Sequence, residues 1–310
     1  MKKARFNRFG SADVLQVDEV APPQPRRGEV LVRVAAAGLN PKDILIRKGK
    51  FRRLSGKRFP QGVGFDVAGT VTQSNGTDWQ AGTRVFGMRN GWHGGTVGEL
   101  VAMPANELSL LPEDTDFSSA AGVPLAGQTA LQALRDKAGL TAGQMVCING
   151  GSGGVGTLAI QIAKILGAHV TTISSGANAA YCRSLGADET FDYADGRITA
   201  TDRKFDVFFD VFGNYSFDRC KDTLRLQGRY VTTVPSPAIF KAQLFNLFRG
   251  RKARLIVVKS KQKDLRWLSK QMAVGKLRPQ VDRIYPLEEI QAAQLHIESK
   301  RSRGKVIVTI

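Results

Sequence analysis

The sequence predicts an α/β protein, a β-barrel-like N-terminal unit followed by a doubly wound parallel sheet. Three observations predict it. Residues 145–175 read as strand, glycine turn, helix and strand. Strands and helices go on alternating to about residue 258, the pattern of βαβ units with helices on both faces of a sheet. Before residue 114 the chain holds short β-favouring runs punctuated by Gly and Pro, as in APPQPRRGE and NGTDWQAGT.

In the first unit the expected strands are Val14–Glu19, Glu29–Ala35, Val67–Thr72, Thr83–Phe86 and Glu99–Met103. Pro41–Arg47 has helical spacing and makes one short helix. An alanine-rich helical stretch begins near Phe117. Met145–Ile148 is apolar, too short for a helix and bounded by glycines, so it reads as a buried strand. Gly151, Gly153 and Gly156 then form a G-x-G-x-x-G turn, with Ser152, Gly154 and Val155 between them. Apolar residues from Val155 to Leu166 follow at helical spacing, Gly167 stops the helix, and β-branched Val170–Ile173 is the second strand. This is the layout of a dinucleotide-binding unit. Gly151 permits the tight turn, Gly153 lets the backbone approach a pyrophosphate, and Gly156 lets the helix pack on the strand. Helix N–H groups then face the phosphates. The alternative is a turn of purely structural use.

The alternation continues with a helix at Ala177–Leu185 and strands at Glu189–Tyr193 and Phe205–Phe209. A helix at Phe217–Leu226 and strands at Arg229–Val234 and Leu255–Val258 complete it. The tail holds a helix around Trp267 and Leu268 and another at Leu287–Ser299. A last strand, Lys305–Ile310, fits the first unit's sheet. The domain reading is therefore 1–114 for the first unit, 115–260 for the nucleotide unit and 261–310 for a return to the first.

Charge after the second strand separates the two nicotinamide cofactors, because an acid there binds the ribose 2′-hydroxyl and repels a 2′-phosphate. No acidic residue lies between Asp136 and Asp188, and Ser174, Ser175 and Asn178 occupy the expected place. NADP(H) is the predicted cofactor. An NAD site that has lost its acid is the alternative.

The formal net charge is +18 over 310 residues. Eight Lys or Arg and one acid lie between Lys42 and Arg58, and nine with one acid between Arg249 and Lys270. Such runs read as solvated faces; attraction of anionic cofactors, nucleic acid or membrane surfaces is the functional alternative. Cys147, Cys182 and Cys220 lack C-x-x-C spacing and read as free thiols of a reducing compartment, with no zinc framework. No apolar run is long enough for a membrane span, and the basic start MKKARFNRFG does not read as a secretory signal, so a cytoplasmic protein is expected. His93, His169 and His296 read as loop or structural residues.

Across nearly its whole length the chain resembles the zinc-free medium-chain dehydrogenase/reductases of the quinone oxidoreductase type, most of all the chloroplast-envelope quinone oxidoreductase homologues. The segments carrying this are GEVLVRVAAAGLNPKD, GFDVAGTV, GGTVGELVAMPAN, VPLAGQTALQAL, NGGSGGVGTLAIQIAKILGAHV, LGADETFDY and GKVIVTI. The resemblance implies a GroES-like catalytic domain, a Rossmann domain, and NADPH bound between them. It also implies a quinone or enone as substrate, no specific nucleic-acid partner, and a homodimer as the form to test. Asn40 stands where zinc-dependent relatives place a Cys ligand, and Gly64, Phe65 and Asp66 where they carry a zinc-binding His within G-H-E. Neither an Asn amide nor Phe is a plausible zinc ligand. By resemblance Asn40 polarises a substrate carbonyl; the alternative is an Asn that satisfies backbone groups before Pro41. Thr129, Phe212, Gly213 and Val234 match segments lining the nicotinamide, and Tyr193 a tyrosine near the adenosine phosphate. Leu45 and Phe51 stand where this type often carries tyrosines. The implied activity is hydride transfer from NADPH to an electron-poor acceptor. Its rivals are an enoyl-thioester reductase and an anionic-surface binder with vestigial activity.

Overall fold

A computed structural model describes residues 1–246 and 250–310. Contacts divide the chain into two units. The first comprises Met1–Gln128, Lys259–Gly275 and Pro279–Ile310, and the second Thr129–Val258 with Lys276–Arg278. Residues 115–128 thus group with the first unit.

The first unit opens with β1 (Lys2–Phe6), β2 (Leu15–Glu19) and β3 (Glu29–Gly38), followed by helices α1 (Pro41–Arg47) and α2 (Arg52–Ser55). Strands β4 (Gln61–Gly62), β5 (Asp66–Asn75), β6 (Arg84–Met88), β7 (Leu100–Pro104) and β8 (Leu108–Leu110) come next, then α3 (Phe117–Ala121). Pro41 starts α1 at the position where a missing N–H costs nothing. The long strand β3 is the hub. It pairs antiparallel with β5 on one side, with β7 over its first half, and with the C-terminal strand over its second.

Helix α4 (Pro124–Leu131) leads into the second unit and continues as a π-helical turn, Gln132–Lys137. There follow β9 (Met145–Asn149), α5 (Gly154–Ile165), β10 (His169–Ser174), α6 (Ala179–Ser184), β11 (Glu189–Asp192) and β12 (Phe205–Asp210). Then come α7 (Phe217–Cys220), β13 (Leu224–Thr232), α8 (Pro237–Leu244) and β14 (Lys252–Leu255). All neighbours pair in parallel, in the order β11-β10-β9-β12-β13-β14. Renumbered within the sheet this is 3-2-1-4-5-6, the doubly wound dinucleotide-binding order.

The chain returns with α9 (Gln262–Ala273), β15 (Val281–Pro286), α10 (Ile290–Glu298) and β16 (Lys305–Thr309). β16 runs antiparallel to β3 and parallel to β15.

Three expectations need correction. The helix expected over Phe217–Leu226 ends at Cys220, because Thr223 bonds back to the Cys220 carbonyl and Leu224 already pairs with Phe205 as strand. The strand expected at Leu255–Val258 lies at Lys252–Leu255, where Ala253 and Leu255 pack on the core and alternate with Lys252 and Arg254. Nor is the basic run from Lys42 to Arg58 wholly solvated. Arg47 is fully buried, bonded to Gln294 and the Gly10 carbonyl and ion-paired with Glu298, so it ties α1 to α10. Arg249 of the second run lies outside the described residues.

Candidate functional site

Apart from Thr129, which lies on α4, the second unit brings the predicted cofactor residues to the C-terminal ends of its strands, where ligands bind in doubly wound sheets. A side chain at Gly156 would meet the Gly150 carbonyl at 2.0 Å, and one at Gly151 would meet Thr172 at 2.8 Å. A side chain at Gly153 would find only the Gly150 carbonyl, at 3.6 Å. Gly151 and Gly156 are therefore glycines for packing, while Gly153 faces open space. The left-handed residue of the turn is Gly150 (φ +86°), not Gly151 as the motif suggests. Ser152, Gly153, Gly154 and Val155 line the turn half-buried at the start of α5, which has no carboxylate in its first turn.

Beside this turn, a Cβ at Gly150 would lie 3.4 Å from the Cβ of Phe212. Gly213 (φ +80°) would clash with Val234 if it carried a side chain, so these two segments touch. The loop is held by a residue that the sequence reading missed. Asp210, fully buried at the end of β12, accepts from the backbone N–H of Gly213 (2.8 Å) and Tyr215 (3.0 Å), from Asn149 (2.7 Å) and from the Tyr230 hydroxyl (2.9 Å). Burial, followed by the Asp210 carboxylate, pushes the Tyr230 hydroxyl far above its usual range, so it stays a donor. Thr129 is buried on α4.

After β10 the predicted residues separate. Ser174 is buried, its hydroxyl directed to the Ser175 carbonyl and the Cys182 sulfur, so it does not face outward. Ser175 is half-buried. Asn178 donates to Ser152 at 3.0 Å and so links this segment to the glycine turn, while its own carbonyl oxygen is buried with no partner among the described residues. Tyr193 is 61% exposed. A carboxylate enters here after all. β11 sets Asp192 beside Ser174, and its oxygens accept from Gly176 N–H (2.6 Å) and Ala194 N–H (2.9 Å). The stretch without acid in sequence is not without acid in space.

In the first unit Asn40 precedes α1 and is 3% exposed. Its amide nitrogen donates to Asp66 (2.9 Å) and reaches the Gly38 carbonyl (3.4 Å), and its oxygen accepts from Lys305 (2.6 Å). The Lys305 ammonium also donates to the Leu39 carbonyl (2.9 Å) and meets Asp66 at 3.3 Å. Lys305, on β16, is another residue the sequence reading did not single out. Asp66 further accepts from Leu125 N–H (2.7 Å); burial raises its carboxyl, with Lys305 opposing. Asp43 accepts from the Asn40 and Gly64 N–H groups, and burial pushes its carboxyl up to about 6. Phe65 is fully buried and has no donor atom.

Two family models match: the alcohol dehydrogenase GroES-like domain over residues 26–113, and the domain described as zinc-binding dehydrogenase over 185–308. The chain is 31% identical to the mitochondrial NAD(P)H oxidoreductase RTN4IP1 of Danio rerio, covering 98% of this chain and 90% of that protein. It is 31% identical to the chloroplastic NADPH-dependent alkenal/one oxidoreductase of Arabidopsis thaliana, over 99% and 79%. Its fold superposes on the quinone oxidoreductase of Coxiella burnetii with a TM-score of 0.91 at 30% identity, over 100% and 99% of the two chains. With its GroES-like segment, its 3-2-1-4-5-6 sheet and these relatives, the chain belongs to the medium-chain dehydrogenase/reductase family and is an oxidoreductase of its quinone and alkenal/one oxidoreductase group.

Proposed function

We propose that the protein is an NADP(H)-dependent reductase of quinones or activated α,β-unsaturated carbonyls that works without zinc. The observation that carries the cofactor assignment is the glycine turn, crowded at Gly151 and Gly156 yet open at Gly153, as a pyrophosphate cradle requires. In this reading Ser152, Gly153, Gly154 and Val155 hold the pyrophosphate, and Ser175, Asn178 and Tyr193 hold the adenosine ribose and its phosphate. Thr129, Phe212, Gly213 and Val234 border the nicotinamide. The bound nicotinamide supplies the hydride; the chain supplies binding and orientation. Asp192 is tied at both oxygens by backbone N–H groups, which weakens but does not cancel its repulsion of a 2′-phosphate, and the Ser175 hydroxyl and the second amide hydrogen of Asn178 serve as donors to it.

Zinc-free chemistry is supported by the donor set. Phe65 offers no ligand atom, and Asp66 and Asn40 are already bonded to Lys305. With both ends of its amide engaged, Asn40 is a positioning residue at the head of α1. Among the described residues no helix is long and apolar enough to cross a membrane. Three buried free thiols fit a reducing, cytoplasmic setting.

The test is NADPH oxidation by purified protein against a panel of quinones, short and long enones and enoyl thioesters, with and without strong chelator. Turnover of quinones or enones that survives chelation is expected. Turnover of enoyl thioesters alone, or of no acceptor, would overturn the reading.

A further inference from the structure

The second position of α1 carries Lys42, whose ammonium lies 3.7 Å from the centre of the Phe65 ring and 5.1 Å from that of Trp92. One of its three donors goes to the Gly91 carbonyl at 2.6 Å. Phe51 packs on Trp92 with ring centres 4.8 Å apart, so the cation sits beside an aromatic wall. Among the described residues no carboxylate closes an ion pair with it. The two nearest acids are engaged elsewhere, Asp43 by the Asn40 and Gly64 N–H groups and Asp66 by Lys305, Asn40 and Leu125. A half-buried ammonium held by a ring face and one carbonyl is costly unless something negative completes its surroundings. Burial lowers its pKa, against the longer-range attraction of Asp43 and Asp66.

We propose that the Lys42 ammonium is a catalytic residue, donating a hydrogen bond to the acceptor's carbonyl oxygen and stabilising the oxyanion that forms there on reduction. This rests on the reductase reading above. When the β-carbon of an enone gains a hydride, the double-bond electron pair moves onto the carbonyl oxygen as an enolate. A proton from water at the α-carbon then gives the saturated carbonyl. A fixed donor aimed at the developing charge lowers the barrier most where water is partly excluded. The cation lies over the Phe65 ring, which fixes its position without neutralising its charge. The aromatic wall of Trp92 and Phe51 suits a flat conjugated acceptor.

Para-nitrophenol, whose phenolate mimics an enolate, tests this without turnover. Absorbance titration should show the parent binding the phenolate in preference to the phenol by about tenfold. Lys42→Met should erase the preference, with an unchanged or raised melting temperature because it removes a partly buried charge that has no ion-pair partner, and Lys42→Arg, which keeps the charge, should keep part of the preference. With methyl vinyl ketone and NADPH, Lys42→Met should lose about a hundredfold in kcat/KM while NADPH binding, read by fluorescence, is unaltered. A parent that reduces the enone and a Lys42→Met variant that does so equally well would overturn the role of Lys42. Loss of phenolate preference in neither variant would overturn it too. A parent that binds phenolate through Lys42 yet reduces no carbonyl acceptor would refute the reductase reading and leave the oxyanion site standing.

Discussion

In the proposed cofactor site, Ser175, just past the end of β10, and Asp192, at the end of the adjacent β11, bear on the choice between the two nicotinamide cofactors. Ser174 cannot report on it, since a carboxylate there would be buried against Cys182. A 2′-phosphate carries close to two negative charges, and one unit pair at ~4 Å and an effective dielectric near ~20 interacts by roughly 4 kcal/mol before screening. Ser175→Asp, in a half-exposed segment, should therefore lower the NADPH-to-NADH ratio of kcat/KM by about tenfold. Asp192→Asn should raise it. A parent that prefers NADH, or ratios that do not move, would put the ribose elsewhere. Asp43 gives a second prediction at this scale. Its folded pKa, about 6, lies above the ordinary 3.8, so between those values the folded protein binds the extra proton and stability falls as pH rises. Relative to Asp43→Asn, parent stability should drop by roughly 3 kcal/mol from below pH 4 to above pH 6, measured by denaturant unfolding. A flat difference would show that Asp43 ionises normally. The glycine motif was legible because its residues are adjacent in sequence. Asp192, Asp210 and Lys305 were not, because strand register and a return of 265 residues from Asn40 to Lys305 bring them to their partners, and periodicity carries no register.

At the scale of elements, the turn from β9 into α5 separates packing from ligand approach. Gly153 has an ordinary extended backbone (φ −82°, ψ 175°) and open space before it, so Gly153→Val should fold with little change in melting temperature. It should nevertheless raise the dissociation constant for NADPH by tenfold or more, since the branched side chain would stand in the path of the pyrophosphate. Gly156→Ala should instead destabilise the fold, with its Cβ 2.0 Å from the Gly150 carbonyl. Unchanged NADPH affinity in folded Gly153→Val would mean the cradle holds no phosphate. Most strands and helices of both units could be read from β-branched runs and helical spacing. The errors have local causes. α7 gives way to strand at a Thr that bonds back to its own turn, and β14 was hidden because Lys252 and Arg254 alternate with Ala253 and Leu255 and read as a charge run. β14 is an edge strand, where half-buried basic residues are tolerated that a central strand would not accept.

Over the whole molecule, +18 charges ask whether the surface serves a partner or the cofactor. Of the eight basic residues from Lys42 to Arg58, Arg47 is buried in a structural ion pair and Lys42 is drawn half-buried over Phe65. The remaining six are exposed. The exposed set includes Lys57 and Arg58, and Arg52 and Arg53 on the short helix α2. The aromatic residues beside them, Phe51 and Trp92, pack on each other and against Lys42 instead of standing free to stack on bases, and among the described residues no long helix accompanies them for groove reading. Long-range attraction of a polyanionic cofactor is the reading this supports. Two salt dependences test it. Binding to duplex DNA should be weak and should fall by about a hundredfold or more between roughly 50 and 200 mM salt, through counterion release. Over the same range kcat/KM for NADPH should decline more gently, because screening removes the steering and leaves the contacts in the turn. Replacing Arg52, Arg53, Lys57 and Arg58 by Glu should flatten the second dependence without altering kcat. Tight DNA binding that persists at physiological salt and discriminates between sequences would overturn this account and make the basic face a nucleic-acid interface.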